Sequence, residues 1–298
     1  NASAINLPAL QTVLTDININ NNVSLETVTV GNGSLTVGRD LILLNNDAPN
    51  LTDVTFNATT VTRNLTLDND DMDAGVNINL PALTTVSGTL TITDIAGGTL
   101  DLDALTTIGG AAAISSNDYL TAIEFEQLTN TAAVTINANA LLATIDEDAA
   151  GGPITATGSF TVSNNPLLTG VIVNDLADVT GSVDITTNAG LQTVDFPGLA
   201  SVSVDVIVDG AQSNLQTISI GNNATVITRD FTISANDATG LTTINANVAT
   251  VGADLTFDND NEGTGTTVNL PYLTAVGNVT DPSNMTVSQI ATGTLNIP

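Results

Sequence analysis

Apolar residues in this chain occupy every second position over short stretches, and each stretch ends in a cluster of Asn, Asp or Gly, as in Ile17-Asn18-Ile19-Asn20 and Leu255-Thr256-Phe257-Asp258. Alternation of this kind over four residues predicts a strand with one buried face, and no segment sustains the 3.6-residue period of an amphipathic helix. The stretches recur. Their leading apolar positions are Ile17, Leu41, Leu65, Leu90, Ala112, Val134, Phe160, Val183, Val206, Phe231, Leu255 and Val279. Their spacing of roughly 22 to 26 residues is the period of a solenoid, in which each coil packs only on its neighbours.

A second strand in each coil begins with Leu and alternates, as in Leu25-Glu26-Thr27-Val28-Thr29-Val30 and Leu215-Gln216-Thr217-Ile218-Ser219-Ile220. A third carries Leu-x-x-Val or Leu-x-x-Ile, with Leu83 and Val86, Leu105 and Ile108, Leu176 and Val179, and Leu273 and Val276. The chain therefore reads as all-β: a single β-solenoid (β-helix) domain over residues 1–298. About twelve coils of ~24 residues are expected, each with about three short strands and no disulfides. At about 4.8 Å per coil, such a stack would extend roughly 58 Å. The turns carry Asn20-Asn21-Asn22, Asn45-Asn46-Asp47, Asp68-Asn69-Asp70 and Asn164-Asn165-Pro166. These residues tolerate left-handed backbone angles, and stacked at one corner their amides can bond coil to coil.

A longer symmetry overlies the short one. Residues 25–86 match residues 215–276 without gaps at an offset of about 190. Arg39-Asp40 aligns with Arg229-Asp230, and Leu80-Pro81-Ala82-Leu83 with Leu270-Pro271-Tyr272-Leu273. This points to an internal duplication, or to ends that resemble each other so that copies stack in register.

Composition narrows the function. Asp plus Glu total 31 against three basic residues, Arg39, Arg63 and Arg229, for a formal net charge of −28. Such a surface repels nucleic acid, whose binding needs cations on the protein, and favours cations as partners. Cysteine, histidine and tryptophan are absent, which removes thiolate and imidazole chemistry. No apolar run is long enough for a transmembrane helix, so no membrane insertion is expected. The opening Asn1-Ala2-Ser3 has no signal-peptide pattern and reads as a mature or trimmed product.

Leu80-Pro81-Ala82-Leu83-Thr84-Thr85-Val86-Ser87-Gly88-Thr89-Leu90-Thr91-Ile92-Thr93 resembles the leucine-rich, receptor L-domain-like repeats of cell-surface proteins. Leu176-Ala177-Asp178-Val179-Thr180-Gly181-Ser182-Val183 is similar. The resemblance implies a surface-exposed solenoid used for structure or binding. The cysteine-rich caps usual in that family have no counterpart here.

Candidate chemistry is sparse. Asp68, Asp70 and Asp73, and in the duplicate Asp258, Asp260 and Glu262, place oxygens at alternating positions and form candidate calcium corners. They lack the flanking helices and twelfth-position Glu of an EF-hand, and the bland reading is a solvated acidic turn. Glu124, Glu126 and Asp146-Glu147-Asp148 form a carboxylate cluster, but sugar-cleaving carboxylates work in a cleft, and six Phe and two Tyr leave few sugar platforms. No enzyme is expected. Residues 146–152, in the longest coil, are expected to protrude as a loop. Thr66, Thr91, Thr135, Thr161, Thr232, Thr256 and Thr280 form an outward column of the kind that orders water in ice-binding solenoids, although Thr is also a common strand residue. Asn-x-Ser/Thr sequons, including those at Asn22, Asn32 and Asn57, are near the number expected by chance.

The favoured expectation is a secreted or cell-surface structural protein whose subunits assemble end to end into a fibre, sheath or surface layer. Ile5, Leu7 and Leu10 at one end and Leu295 and Ile297 at the other are the candidate assembly interface. The alternative is a monomeric adhesin or glycan-binding module, with ice binding as a lesser one.

Overall fold

The structure is a computed structural model, and it describes all residues except 1, 47, 69–74, 147–152, 211, 259–264, 278–282, 289–292 and 298. The chain clusters into two compact units, Asn1–Leu142 with Ala150–Gly152, and Ala143–Ala149 with Pro153–Pro298. Each is a β-solenoid of parallel coils, and no helix occurs among the described residues. The core of each coil rests on one four-residue strand, here called a rung.

The first unit contains the rungs Ile17–Asn20, Leu41–Leu44, Leu65–Asp68, Leu90–Thr93, Ala112–Ser115 and Val134–Asn137. Each pairs in parallel with the next, first residue over first residue. The second unit contains Phe160–Ser163, Val183–Thr186, Val206–Asp209, Phe231–Ser234, Leu255–Asp258 and Met285–Ser288, paired in the same way. Eleven of the twelve positions read from the sequence begin a rung. Val279 lies outside the described residues, and the twelfth rung starts instead at Met285, where Met285-Thr286-Val287 repeats the apolar–polar–apolar order. The rungs define about eleven turns of ~24 residues, one fewer than the twelve coils expected, because twelve rungs bracket eleven turns.

Parallel pairing with constant register stacks each inward residue on an equivalent one. Leu41, Leu43, Leu65, Leu67, Val183, Ile185, Leu255 and Phe257 are all shielded from solvent. Buried aromatics pair edge to face: Phe231 meets Phe257 at 5.3 Å between ring centres, and Phe160 meets Phe196 at 6.0 Å.

Among the described residues, the turns after the rungs obey one rule. The residue following the rung adopts a left-handed conformation at Asn21, Asn45, Asp94, Ser116, Ala138, Asn164, Thr187 and Ala235, with φ between 48° and 57°, and at Gly210 with φ 86°. This conformation costs an L-residue about 1–2 kcal/mol, and a β-branched residue such as Thr187 suits it least.

The next residue compensates. Asn46, Asn117, Asn139, Asn165, Asn188 and Asn236 point inward and are fully buried. Asn139 Oδ1 accepts the Asn117 backbone N–H at 3.0 Å and the Asn117 amide at 3.1 Å, while Asn139 Nδ2 donates to Ile114 O. Asn188 receives Asn165 in the same manner, and Asn46 receives Asn22. In these coils one amide side chain satisfies backbone groups that stacking would otherwise bury unpaired; after the rung Leu90–Thr93 the place is held by Ile95, whose N–H bonds Asn117 Oδ1.

The expected second and third strands merge in places. Thr27–Val37 and Thr217–Ile227 are 11-residue strands that turn the corner at Gly31 (φ 94°) and Gly221 (φ 100°). A side-chain carbon at these glycines would sit 2.8 Å from Asn57 O and 2.6 Å from Asn247 O. Both strands slip register against their partners at the same place. The matching segments therefore carry matching strands, Asp53–Val61 with Thr243–Val251 and Leu65–Asp68 with Leu255–Asp258 among them.

Two substitutions test the corner. Asn188→Ala removes a buried amide that bonds Val162 O and Thr186 O, and is expected to cost about 2–4 kcal/mol in denaturant unfolding. Thr187→Asn relieves the left-handed position and is expected to add about 1 kcal/mol; a loss of stability there would refute the compensation scheme.

Candidate functional site

The residue just before most rungs forms a second polar column, at the opposite end of the strand from the amide ladder. In the first unit Asp16 Oδ1 accepts the Asp40 backbone N–H, Asp40 Oδ1 accepts that of Asn64, and Asn64 Oδ1 that of Thr89, all at 2.9–3.0 Å. In the second unit Ser159 and Ser182 open the series, and Asp205, Asp230 and Asp254 continue it to Asn284 at 2.8–3.0 Å. Each oxygen reaches from one coil to the N–H of the next, so these carboxylates are structural bonds.

All three cations of the chain serve this column. Arg39 Nε lies 3.6 Å from Asp16, Arg63 Nη1 3.6 Å from Asp40, and Arg229 Nε 3.7 Å from Asp205. The guanidinium groups are half exposed, so solvent screening keeps each contribution small. Their placement still divides the like charges of the stack.

The column was not singled out by sequence reasoning, although its signal is present: an oxygen-bearing residue stands immediately before ten of the twelve rungs, Ala111 and Ala133 being the exceptions. The matching pairs Arg39-Asp40 and Arg229-Asp230 both fall beside this column.

The amide ladder changes residue type at Gln212. Between the rung Val206–Asp209 and Gln212 the corner is one residue longer than at the other described amide corners, and Gln, one carbon longer than Asn, spans it. Its Nε2 still donates to Ile185 O at 2.8 Å and Asp209 O at 3.0 Å. Among the described residues, Gln212 Oε1 and Asn236 Oδ1 accept no hydrogen bond.

The expected calcium corners are only partly described. Asp68 and Asp258 close the rungs Leu65–Asp68 and Leu255–Asp258 at equivalent, half-buried places. Asp70, Asp73, Asp260 and Glu262 lie outside the described residues. Among the described residues no group of three or more carboxylates is arranged to hold a metal ion. Glu124 ends the strand Tyr119–Glu124 and Asp146 ends Thr144–Asp146; residues 147–152, expected to protrude, are outside the described set.

The threonines Thr66, Thr91, Thr135, Thr161, Thr232 and Thr256 do share the second rung position on the outer face. Asn18, Ile42, Ala113, Asp184 and Ile207 interrupt them. Thr280 is outside the described residues, and Thr286 holds the corresponding place.

The candidate interface residues fall in the inward columns. Ile5 pairs with Val28, and Leu7 with Val30; Leu295 pairs with Val268. Their partners are buried, whereas Leu7 is 50% exposed, Leu295 40% and Ile297 51%. Leu10 follows in a turn, donating its N–H to Leu7 O. Ile5 and Leu10 are partly covered.

These features define a β-solenoid repeat protein bonded by polar ladders at its corners. Comparison with family models, curated proteins and solved structures finds no match, so the functional argument stands on geometry and chemistry.

Burial also acts on the carboxyls of Asp184 and Asp195. Burial raises Asp184 above its ordinary value of 3.8, and the neighbouring Asp205 carboxylate raises it further. Burial also raises Asp195, partly offset by a hydrogen bond from Ser219. The folded chain thus holds these protons more tightly than the unfolded chain. Their stabilisation is full below the unfolded pKa and is lost as pH rises through the folded one. Asp184→Asn is therefore expected to raise the melting temperature near pH 7 and to flatten its decline as pH rises above the ordinary carboxylate value of 3.8. Parallel wild-type and variant profiles would contradict this.

Proposed function

We propose that this chain is a structural subunit of an extracellular fibre, sheath or surface layer, built by end-to-end stacking of solenoids. The observation that carries the reading is the pair of edge strands, Ala4–Leu7 and Thr294–Asn296. Their inward side chains occupy the columns that are sealed within every intervening coil, yet stand open to solvent here. Burying apolar surface of this kind contributes about 25 cal/mol per Å², and an exposed parallel edge offers unpaired N–H and C=O groups to a further strand. An interface between unlike edges does not close on itself and propagates as a filament.

Chemistry elsewhere supports a structural role. The polar side chains that are most deeply buried bond coil to coil, and the acidic column is committed to backbone N–H groups. With no Cys, the fold depends on no redox state, and an acid-rich surface keeps assembled material hydrated.

Electron microscopy with light scattering of the purified chain tests this. Filaments or sheets are expected to form with rising concentration, sooner at higher salt as repulsion between chains of net charge −28 is screened. Leu295→Asp, at an exposed edge position, is expected to abolish them while leaving the melting temperature nearly unchanged. Dispersed single particles under all conditions would overturn the reading.

A further inference from the structure

We infer that Asn32 is a self-modifying site: the folded corner around it closes the side chain onto the Gly33 nitrogen as a succinimide, which opens to aspartate or isoaspartate. The reaction needs an asparagine amide, an unshielded backbone nitrogen directly after it, and donors on the amide oxygen where charge develops. Asn32, Gly33 and Ser34 supply all three, and the inference is independent of how the solenoid assembles.

Asn-Gly occurs once in the chain, at Asn32-Gly33. The pair lies at the corner of the strand Thr27–Val37, in a stretch that strand pairing leaves out. On one side Ala4–Leu7 pairs with residues 27–30, and Thr12–Val13 with Thr36 and Val37. On the other side Asp53–Val61 pairs with residues 27–30 and resumes at Leu35. Asn57 Nδ2 donates to Gly31 O at 3.3 Å and anchors the base of the turn. Beyond that anchor, Asn32, Gly33 and Ser34 are all exposed. The space around Gly33 is open to 4 Å where a side-chain carbon would stand, and without such a carbon its nitrogen is unshielded.

The turn also acts on the electrophile. Asn32 Oδ1 accepts the Ser34 backbone N–H at 3.0 Å and the Ser34 hydroxyl at 2.8 Å. Two donors on one carbonyl oxygen draw electron density from Cγ and stabilise the negative charge that collects on Oδ1 when a nucleophile adds, as an oxyanion hole does. Asn22 shows the opposite arrangement. Its Nδ2 is tied to Asn20 O and Asn46 Oδ1, and the β-branched Val23 shields the nitrogen that follows it.

The Gly33 nitrogen gives its proton to a solvent base and attacks Asn32 Cγ, forming a C–N bond with the charge on Oδ1. The Cγ–Nδ2 bond then breaks, and Nδ2 takes a proton from water and leaves as ammonia, closing a five-membered ring. Water adds to one of the two ring carbonyls and opens it, to aspartate or to isoaspartate. One water is consumed and one ammonia released, with no oxidant or reductant. Isoaspartate lengthens the backbone by one carbon, within a stretch that carries no strand pairing, so the coils on either side keep their register.

The duplicate corner provides an internal control. In the strand Thr217–Ile227, Asn222 aligns with Asn32, and its Oδ1 accepts the Ala224 N–H at 3.1 Å. Asn223 stands where Gly33 does, with φ 78° against 87°. The turn is the same, but the attacking nitrogen there belongs to a residue with a side chain.

The test holds the purified full chain in mildly alkaline buffer, folded and in parallel in urea, and follows each asparagine by peptide mass spectrometry. Asn32 is expected to convert before every other asparagine, and at least as fast in the folded chain as in urea. Ser34→Ala is expected to slow it about two- to tenfold in the folded chain, as for one lost hydrogen bond, and to leave the rate in urea unchanged. Asn223→Gly, which suits the left-handed angle at that place, is expected to make Asn222 reactive as well. Slower conversion of Asn32 in the folded chain than in urea, or a folded Ser34→Ala chain that reacts as fast as wild type, would defeat the inference.

Discussion

Stacking at the strand spacing is the constraint from which the rest of this fold follows. Once coils lie one over another in constant register, every residue has its counterpart as its nearest neighbour in the next coil. An apolar side chain then meets an apolar one without further specification, which is why Leu, Ile and Val suffice for the interior. A buried polar group has no such freedom. It must find its complement one coil away, and the corners, where strand pairing lapses, are where this is hardest. The buried asparagines after the rungs and the oxygen-bearing residues before them are two answers to the same requirement, one made inside the corner and one outside it.

The two columns differ in electrostatic consequence. The asparagine ladder is neutral, so stacking it incurs no repulsion and it can occupy the dry interior. The outer column uses aspartate, and successive carboxylates about one strand spacing apart repel. Three features moderate this: partial exposure, a backbone N–H bonded to each carboxylate, and the concentration of every arginine beside it. Serine at 159 and 182 and asparagine at 64 and 284 show that oxygen, rather than charge, is the common requirement of the position.

The sequence disclosed the repeat well because the strand signal is a local alternation, and eleven of the twelve rungs begin at the residue that pattern picks out. It disclosed the corners less well. Asn21, Asn45 and Asn164 have the side chain expected of a left-handed residue, but Ser116, Ala138, Thr187 and Ala235 adopt the same angle without any such mark. Their conformation is imposed by the coils above and below, which no single segment reveals. The twelfth rung differs for a related reason: Val279 keeps the usual period, whereas the residue that pairs with Leu255 is Met285. The candidate interface residues were legible because they repeat the inward positions of the core. The direction of the ladders they sit among was not, since donor and acceptor ends of an asparagine are the same letter.

The left-handed corner has a consequence for how such a chain changes over generations. Because neighbouring coils hold that angle for alanine and threonine as well as for asparagine and glycine, substitutions there are absorbed at modest cost. Each coil can then drift in sequence while its backbone path stays fixed by the adjacent ones. Two solenoids of common descent could come to share nearly every inter-coil hydrogen bond and few residues. In a chain of this kind ancestry would be preserved longest in the spacing of its polar corners.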